Sequence, residues 1–84
     1  MFKLYVSKKA EKRLKLLKRT HQKAIVSALQ EIQEDPYCGK PLSRDLTGRF
    51  TYKVGVYRII YHINEQNQTI RVLNAGHRGS VYNK

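Results

Sequence analysis

Cysteine occurs once in these 84 residues, tryptophan not at all, proline twice, and Asp and Glu together six times. Each shortage closes off a class of protein. The lone Cys38 excludes an internal disulfide and a cysteine-based zinc centre, in keeping with a reducing, cytoplasmic setting. No apolar run is long enough to cross a bilayer, and "MFKLYVSKKAEKR" lacks the apolar stretch of a signal peptide, so no membrane or secreted role is expected. The few acids are scattered, which argues against a carboxylate-paired hydrolase or a magnesium nuclease. His21, His62 and His77 share no ligand spacing, and no glycine loop stands between a strand and a helix. Neither a metal nor a cofactor is expected.

What the chain has in excess is positive charge: 17 Lys and Arg, a net charge of +11. Residues 1–24 carry +8, residues 25–48 carry −2 and residues 49–84 carry +5. Such a balance calls for an anionic partner: nucleic acid, an acidic protein or a membrane surface. The two basic regions make one anion-binding surface only if the fold brings them together.

The pattern along the chain predicts one domain, 1–84, with no linker or repeat. "FKLYV" alternates as a short strand with Phe2, Leu4 and Val6 on one face. Ser7 is a good N-cap for a helix from Lys8 to Lys18, whose apolar stripe is Ala10, Leu14 and Leu17. A second helix is expected from about Thr20 or His21 to Glu34, burying Ala24, Ile25, Ala28, Leu29 and Ile32. Asp35 before Pro36 ends it, and Gly39 and Pro41 mark a loop. "RFTYKV" and "VYRIIYHI" form a hairpin around Gly55, and "TIRVLNA" follows the polar turn "NEQNQ". The expected class is α+β, in the order β-α-α-β-β-β, with both helices on one face of a small, mainly antiparallel sheet.

"GVYRIIYHI" then poses a question. Tyr57, Ile59, Tyr61 and Ile63 share one face of a strand and read as core. Arg58 falls on the other face, with Val56, Ile60 and His62. If the helices cover the first face, Arg58 stands on the uncovered one, where a ligand can reach it. The plain alternative is a structural arginine paired with Asp45 or Glu65. Tyr52, Tyr57 and Tyr61 read as core before they read as a base-stacking platform, and His62 reads as a surface strand residue. The first helix's Lys8, Lys9, Lys12, Lys15 and Lys18 are either a solvated face or a docking surface for RNA phosphates.

Lys, Arg, Tyr and His suit one reaction that needs no metal: RNA cleavage by its own 2′-hydroxyl. Such a site must hold the phosphate, stabilise added negative charge and move protons.

"GVYRIIYHI" followed by "TIRVLNAGHRGSVYNK" resembles the C-terminal half of RelE/ParE-superfamily toxins. "DPYCGKPLSRDLTGRFTYKVGVYR" is similar to the superfamily's linker and first hairpin. The resemblance covers essentially the whole chain, closer to the RelE branch. It implies a messenger-RNA endonuclease acting in the ribosomal A site. By that resemblance Arg58 holds the scissile phosphate, Arg78 follows the last long strand, Lys53 is the lysine of the preceding strand, and Tyr82 stacks on a base or moves a proton. His77 is the nearest match to a C-terminal histidine of some relatives, and Arg49 joins the helix lysines in holding RNA. Two departures stand out: RelE has a second lysine where Val54 and Gly55 follow Lys53, and many relatives carry Asp at the place of Val56. The acid and base therefore lie among Lys53, His77 and Tyr82. The resemblance also implies a cognate antitoxin with an acidic segment that wraps the domain. Its main rival reading is a ParE-like inhibitor of DNA gyrase, and another is an inactive antitoxin-binding homologue.

Overall fold

The computed structural model describes residues 2–41 and 48–77. Strand β1 (Lys3–Val6) leads into helix α1 (Lys8–Lys15) and helix α2 (Arg19–Glu34). A single 3-10 turn (Pro36–Cys38) precedes strands β2 (Lys40–Pro41), β3 (Arg49–Val54), β4 (Tyr57–Asn64) and β5 (Thr69–His77). The five strands form one sheet in the order β1-β5-β4-β3-β2. Only β1 runs parallel to its neighbour; the other pairs are antiparallel. This is the expected α+β architecture, with β2 as an addition. The segment read as loop from Gly39 to Pro41 is in part an edge strand, too short and too proline-marked to show a period of two. Among the described residues no helix is long and apolar enough to cross a membrane.

Ser7 anchors the first corner. Its hydroxyl accepts from the Ala10 backbone N–H at 3.1 Å, capping α1, and donates to the Leu73 carbonyl of β5 at 3.0 Å. Helix α1 stops at Lys15 rather than Lys18. The Gln22 side chain explains where the last carbonyls go: it donates to those of Leu14 and Leu17 at 2.9 and 3.0 Å. At the far end of α2 the Asp35-Pro36 step ends the helix, and Asp35 caps the following turn through the Tyr37 N–H.

The core lies between the helices and one sheet face. Ala10, Ile25, Ala28, Leu29 and Ile32 meet Ile59, Tyr61, Ile63, Ile70, Val72 and Ala75. Ala24 is exposed, contrary to expectation. It borders the helical stripe, and Ile25, Ala28, Leu29 and Ile32 fill the contact without it. The β3–β4 hairpin turns on Gly55 at φ +61, the positive value that two-residue turns need. A register shift between Ile60 and Tyr61 places one extra β5 residue against β4.

Tyr61 is the largest fully buried side chain, and its hydroxyl donates to the Pro36 carbonyl at 2.6 Å. Gly39 makes that fit possible, since a Cβ there would come within 2.5 Å of the Tyr61 hydroxyl and 2.8 Å of the Thr51 carbonyl. Burial raises the Tyr61 phenol above the ordinary tyrosine value. A raised phenol contributes stability that is complete below about pH 10 and fades as pH climbs through that value. Tyr61→Phe is therefore expected to cost about 1–2 kcal/mol at neutral pH, by stranding the Pro36 carbonyl. It should also flatten the stability loss that wild type shows above about pH 10. Urea unfolding from neutral to alkaline pH checks both. Gly39→Ala should cost about 1–3 kcal/mol in the same assay, by overpacking against Tyr61 and the β3 backbone.

Candidate functional site

Directly opposed residues in a sheet share a face, so the register sorts the strands into two sets. Facing the helices are the apolar residues of the core. Facing away are three rows. Nearest the hairpin turn, Lys53 opposes Arg58, which opposes Gly76. Next, Lys40 opposes Thr51, Thr51 opposes Ile60, and Ile60 opposes Asn74. Farther along, Arg49, His62, Arg71 and Tyr5 cross four strands in line.

The first row answers the question about Arg58. It lies on the face the helices leave uncovered, half-buried, beside the exposed Lys53. The two cations sit at cross-strand spacing, about 5 Å between Cα atoms. Gly76, itself buried, presents no side chain on Arg58's other side. Lys40, Thr51, Lys53 and Arg58 line a recess of about 370 Å³, floored where the chain passes Gly39. Three cations around one recess supply the kind of charge that phosphate oxygens favour, and arginine adds a planar fork of donors.

Tyr52 and Cys38, which also line the recess, are not set up to move protons. Tyr52 donates to Glu31 of α2, and that hydrogen bond to a carboxylate pushes its phenol up to about 12. Desolvation first, and then the Asp35 carboxylate, push the Cys38 thiol up. Glu65, one proposed partner of Arg58, lies seven residues on, just past the end of β4 and roughly 23 Å away along the strand. It accepts instead from the Tyr37 hydroxyl. Asp45, the other, lies outside the described residues, as do Arg78 and Tyr82.

His77 ends β5 opposite Tyr57, and therefore on the helix side of the sheet, away from the face of Lys53 and Arg58. Its ring meets the Tyr57 ring edge-on with centroids 6.2 Å apart, and Tyr57 in turn packs on His21 of α2 at 4.9 Å. Lys8, Lys9, Lys12, Lys15 and Lys18 are all exposed. They belong to the helix layer, while Arg49 stands on the opposite face of the sheet in the third row. Among the described residues the α1 lysines and the sheet cations Arg49, Lys53, Arg58 and Arg71 thus stand on two sides, while Lys3 of the first basic region shares the sheet face with Tyr5. Lys40 was absent from the sequence reading, because nothing in "YCGKPL" marks a strand that would aim it at Arg58.

The family model described as the ParE toxin of the type II toxin–antitoxin system parDE matches residues 4–82. Toxin RelG of Mycobacterium tuberculosis is 34% identical over 58 residues, 68% of this chain and 67% of that protein. A chain of the RelBE2 toxin–antitoxin complex of the same organism superimposes with a TM-score of 0.82 at 30% identity, covering 92% of this chain and 91% of that one. The isolated RelE toxin of E. coli has the same fold, with a TM-score of 0.80 at 20% identity over 92% of this chain and 84% of its own.

Two like charges held side by side repel, and Lys53→Glu would turn the pair into an attractive one. The substitution is expected to raise unfolding stability by about 0.2–1 kcal/mol while abolishing anion binding at the recess. Urea unfolding and titration with inorganic phosphate read the two effects separately.

Proposed function

This chain belongs to the RelE/ParE family of type II toxins, and from that membership we propose that it is an endoribonuclease cleaving messenger RNA in the ribosomal A site. The observation that carries the reading is the recess where Arg58, Lys53 and Lys40 converge on the uncovered sheet face. The 2′-oxygen attacks the adjacent phosphorus, the bond to the 5′-oxygen breaks, and a cyclic phosphate remains on the upstream fragment. Arg58 grips the non-bridging oxygens and, with Lys40, offsets the charge that builds on them; such preorganised stabilisation is usually the largest contribution. These cations also lower the pKa of the 2′-hydroxyl. Its proton passes to Lys53, His77 or Tyr82, and the 5′-oxygen takes one up. Lys53 leads that set, because His77 stands behind the sheet. Arg78 adds a second guanidinium. The reaction requires no metal or cofactor, since the cations of the chain do the electrostatic work.

The lysines of α1 and Lys18 dock on ribosomal RNA, and Arg49 holds the message, without reading sequence. A cognate antitoxin, whose acidic segment wraps the toxin in the cytoplasm, neutralises it. Relatives of this fold crystallise in RelBE toxin–antitoxin complexes, which supports such a partner. The family match to ParE toxins supports a second reading, inhibition of DNA gyrase without nuclease activity.

Primer extension on translating ribosomes separates the two. Wild-type protein is expected to cut in the A site, Arg58→Ala to lose about 10²–10³ in rate, and Tyr82→Ala to be impaired. Intact message together with blocked gyrase supercoiling would replace the nuclease reading with the second one.

A further inference from the structure

We infer that Tyr5, Arg71, His62 and Arg49 form a second subsite for single-stranded RNA, holding a backbone phosphate and a base away from the scissile bond; it rests on the reading that the open sheet face takes RNA. The four residues face the same way in adjacent strands, in the order β1, β5, β4, β3. Arg49 and Arg71 are exposed and flank the half-buried His62. Arg49, His62 and Arg71, with Asn64, Asn67 and Thr69, line a recess of about 400 Å³. Donors dominate it: two guanidinium forks, an imidazole and amides, the set that phosphate oxygens favour.

Opposite charges across strands strengthen a sheet, and two arginines around a histidine supply no such pair, so the row is not there to hold strands together. The acid closest along β4, Glu65, is taken by Tyr37. At the end of the row Tyr5 is 51% exposed, an aromatic ring on a sheet face with no core to enter. Cations in line with an exposed ring are the elements of a single-strand track, where phosphates bind the charges and a base stacks on the ring. Arg58 and His62 are four residues apart on β4, roughly 13 Å. Successive nucleotides of a helical strand rise only ~3.4 Å, so the two rows hold different phosphates. The row of Thr51, Ile60 and Asn74, charged only at its Lys40 end, lies between them.

The test uses the intact protein and a 2′-O-methyl oligoribonucleotide, which binds but lacks the attacking hydroxyl. Affinity is followed by fluorescence anisotropy across a potassium chloride series. Each lost phosphate contact lowers the logarithmic salt slope by about 0.7, which is the expectation for Arg49→Gln and for Arg71→Gln. Lys23→Gln, an equal charge loss on the helix side, should leave the slope as it is. Tyr5→Leu should weaken binding about tenfold and leave the slope alone. Thermal melting of the two arginine variants should match or exceed wild type, which separates lost contacts from unfolding. Slopes unchanged in both arginine variants, or lowered no more than by Lys23→Gln, would overturn the subsite. So would variants that keep RNA binding and lose only the binding of an acidic peptide. Failure of wild type to cut message on ribosomes, with these slopes as expected, would remove the nuclease reading and leave the RNA subsite standing.

Discussion

Everything at the candidate site depends on one constraint: both helices cover the same face of a five-stranded sheet, and among the described residues no helix covers the other. Alternation along β4 then does the sorting. Ile59, Tyr61 and Ile63 enter the core, while Arg58, Ile60 and His62 are turned outward. A slip of one residue would bury a guanidinium and expose the isoleucines, so the core burial that stabilises the fold also fixes where the cations point. Tyr61 holds the register from inside, tied to Pro36 and fitted over Gly39. Ser7 does the same for β1 and α1, bonded at once to its own helix and to β5.

The uncovered face works against stability. Lys53 opposes Arg58, a like-charged pair where a sheet gains from opposite charges, and Arg49 and Arg71 flank His62 with no acid in the row. A chain of this size has a limited core to absorb such losses. Under the proposed function, polyanionic RNA would relieve the repulsion when bound, and an acidic antitoxin segment would do so in its absence. The same charges that unsettle the free protein thus tie it to both proposed partners.

Much of this was readable in the sequence. Period-two alternation in β4 gave the face of Arg58, the stripe of Ile25, Ala28, Leu29 and Ile32 gave the buried side of α2, and Asp35-Pro36 gave its end. The superfamily pattern gave the family. What stayed hidden depends on contacts distant in sequence. Gln22 reaches back to the Leu14 and Leu17 carbonyls where α1 ends short, which no local propensity encodes. The pairing of Lys40–Pro41 with β3 makes Lys40 a neighbour of the recess. The opposed register of Tyr57 and His77 puts that histidine on the helix side, although its spacing from Arg58 and Tyr82 resembles the family pattern. The alignment of Tyr5 with Arg71 and His62 needs β1 paired to β5, across nearly the whole chain.

The central claim is that messenger RNA meets the uncovered sheet face and not the helices. The most direct measurement is site-specific photocrosslinking on message-programmed ribosomes. A photoreactive amino acid would be placed at Ile60, between the two basic rows, or at Val26, exposed on α2. The account predicts crosslinks to messenger RNA from position 60 and none from position 26. Message crosslinked from position 26 alone would contradict it, and would move the site to the helical side of the molecule.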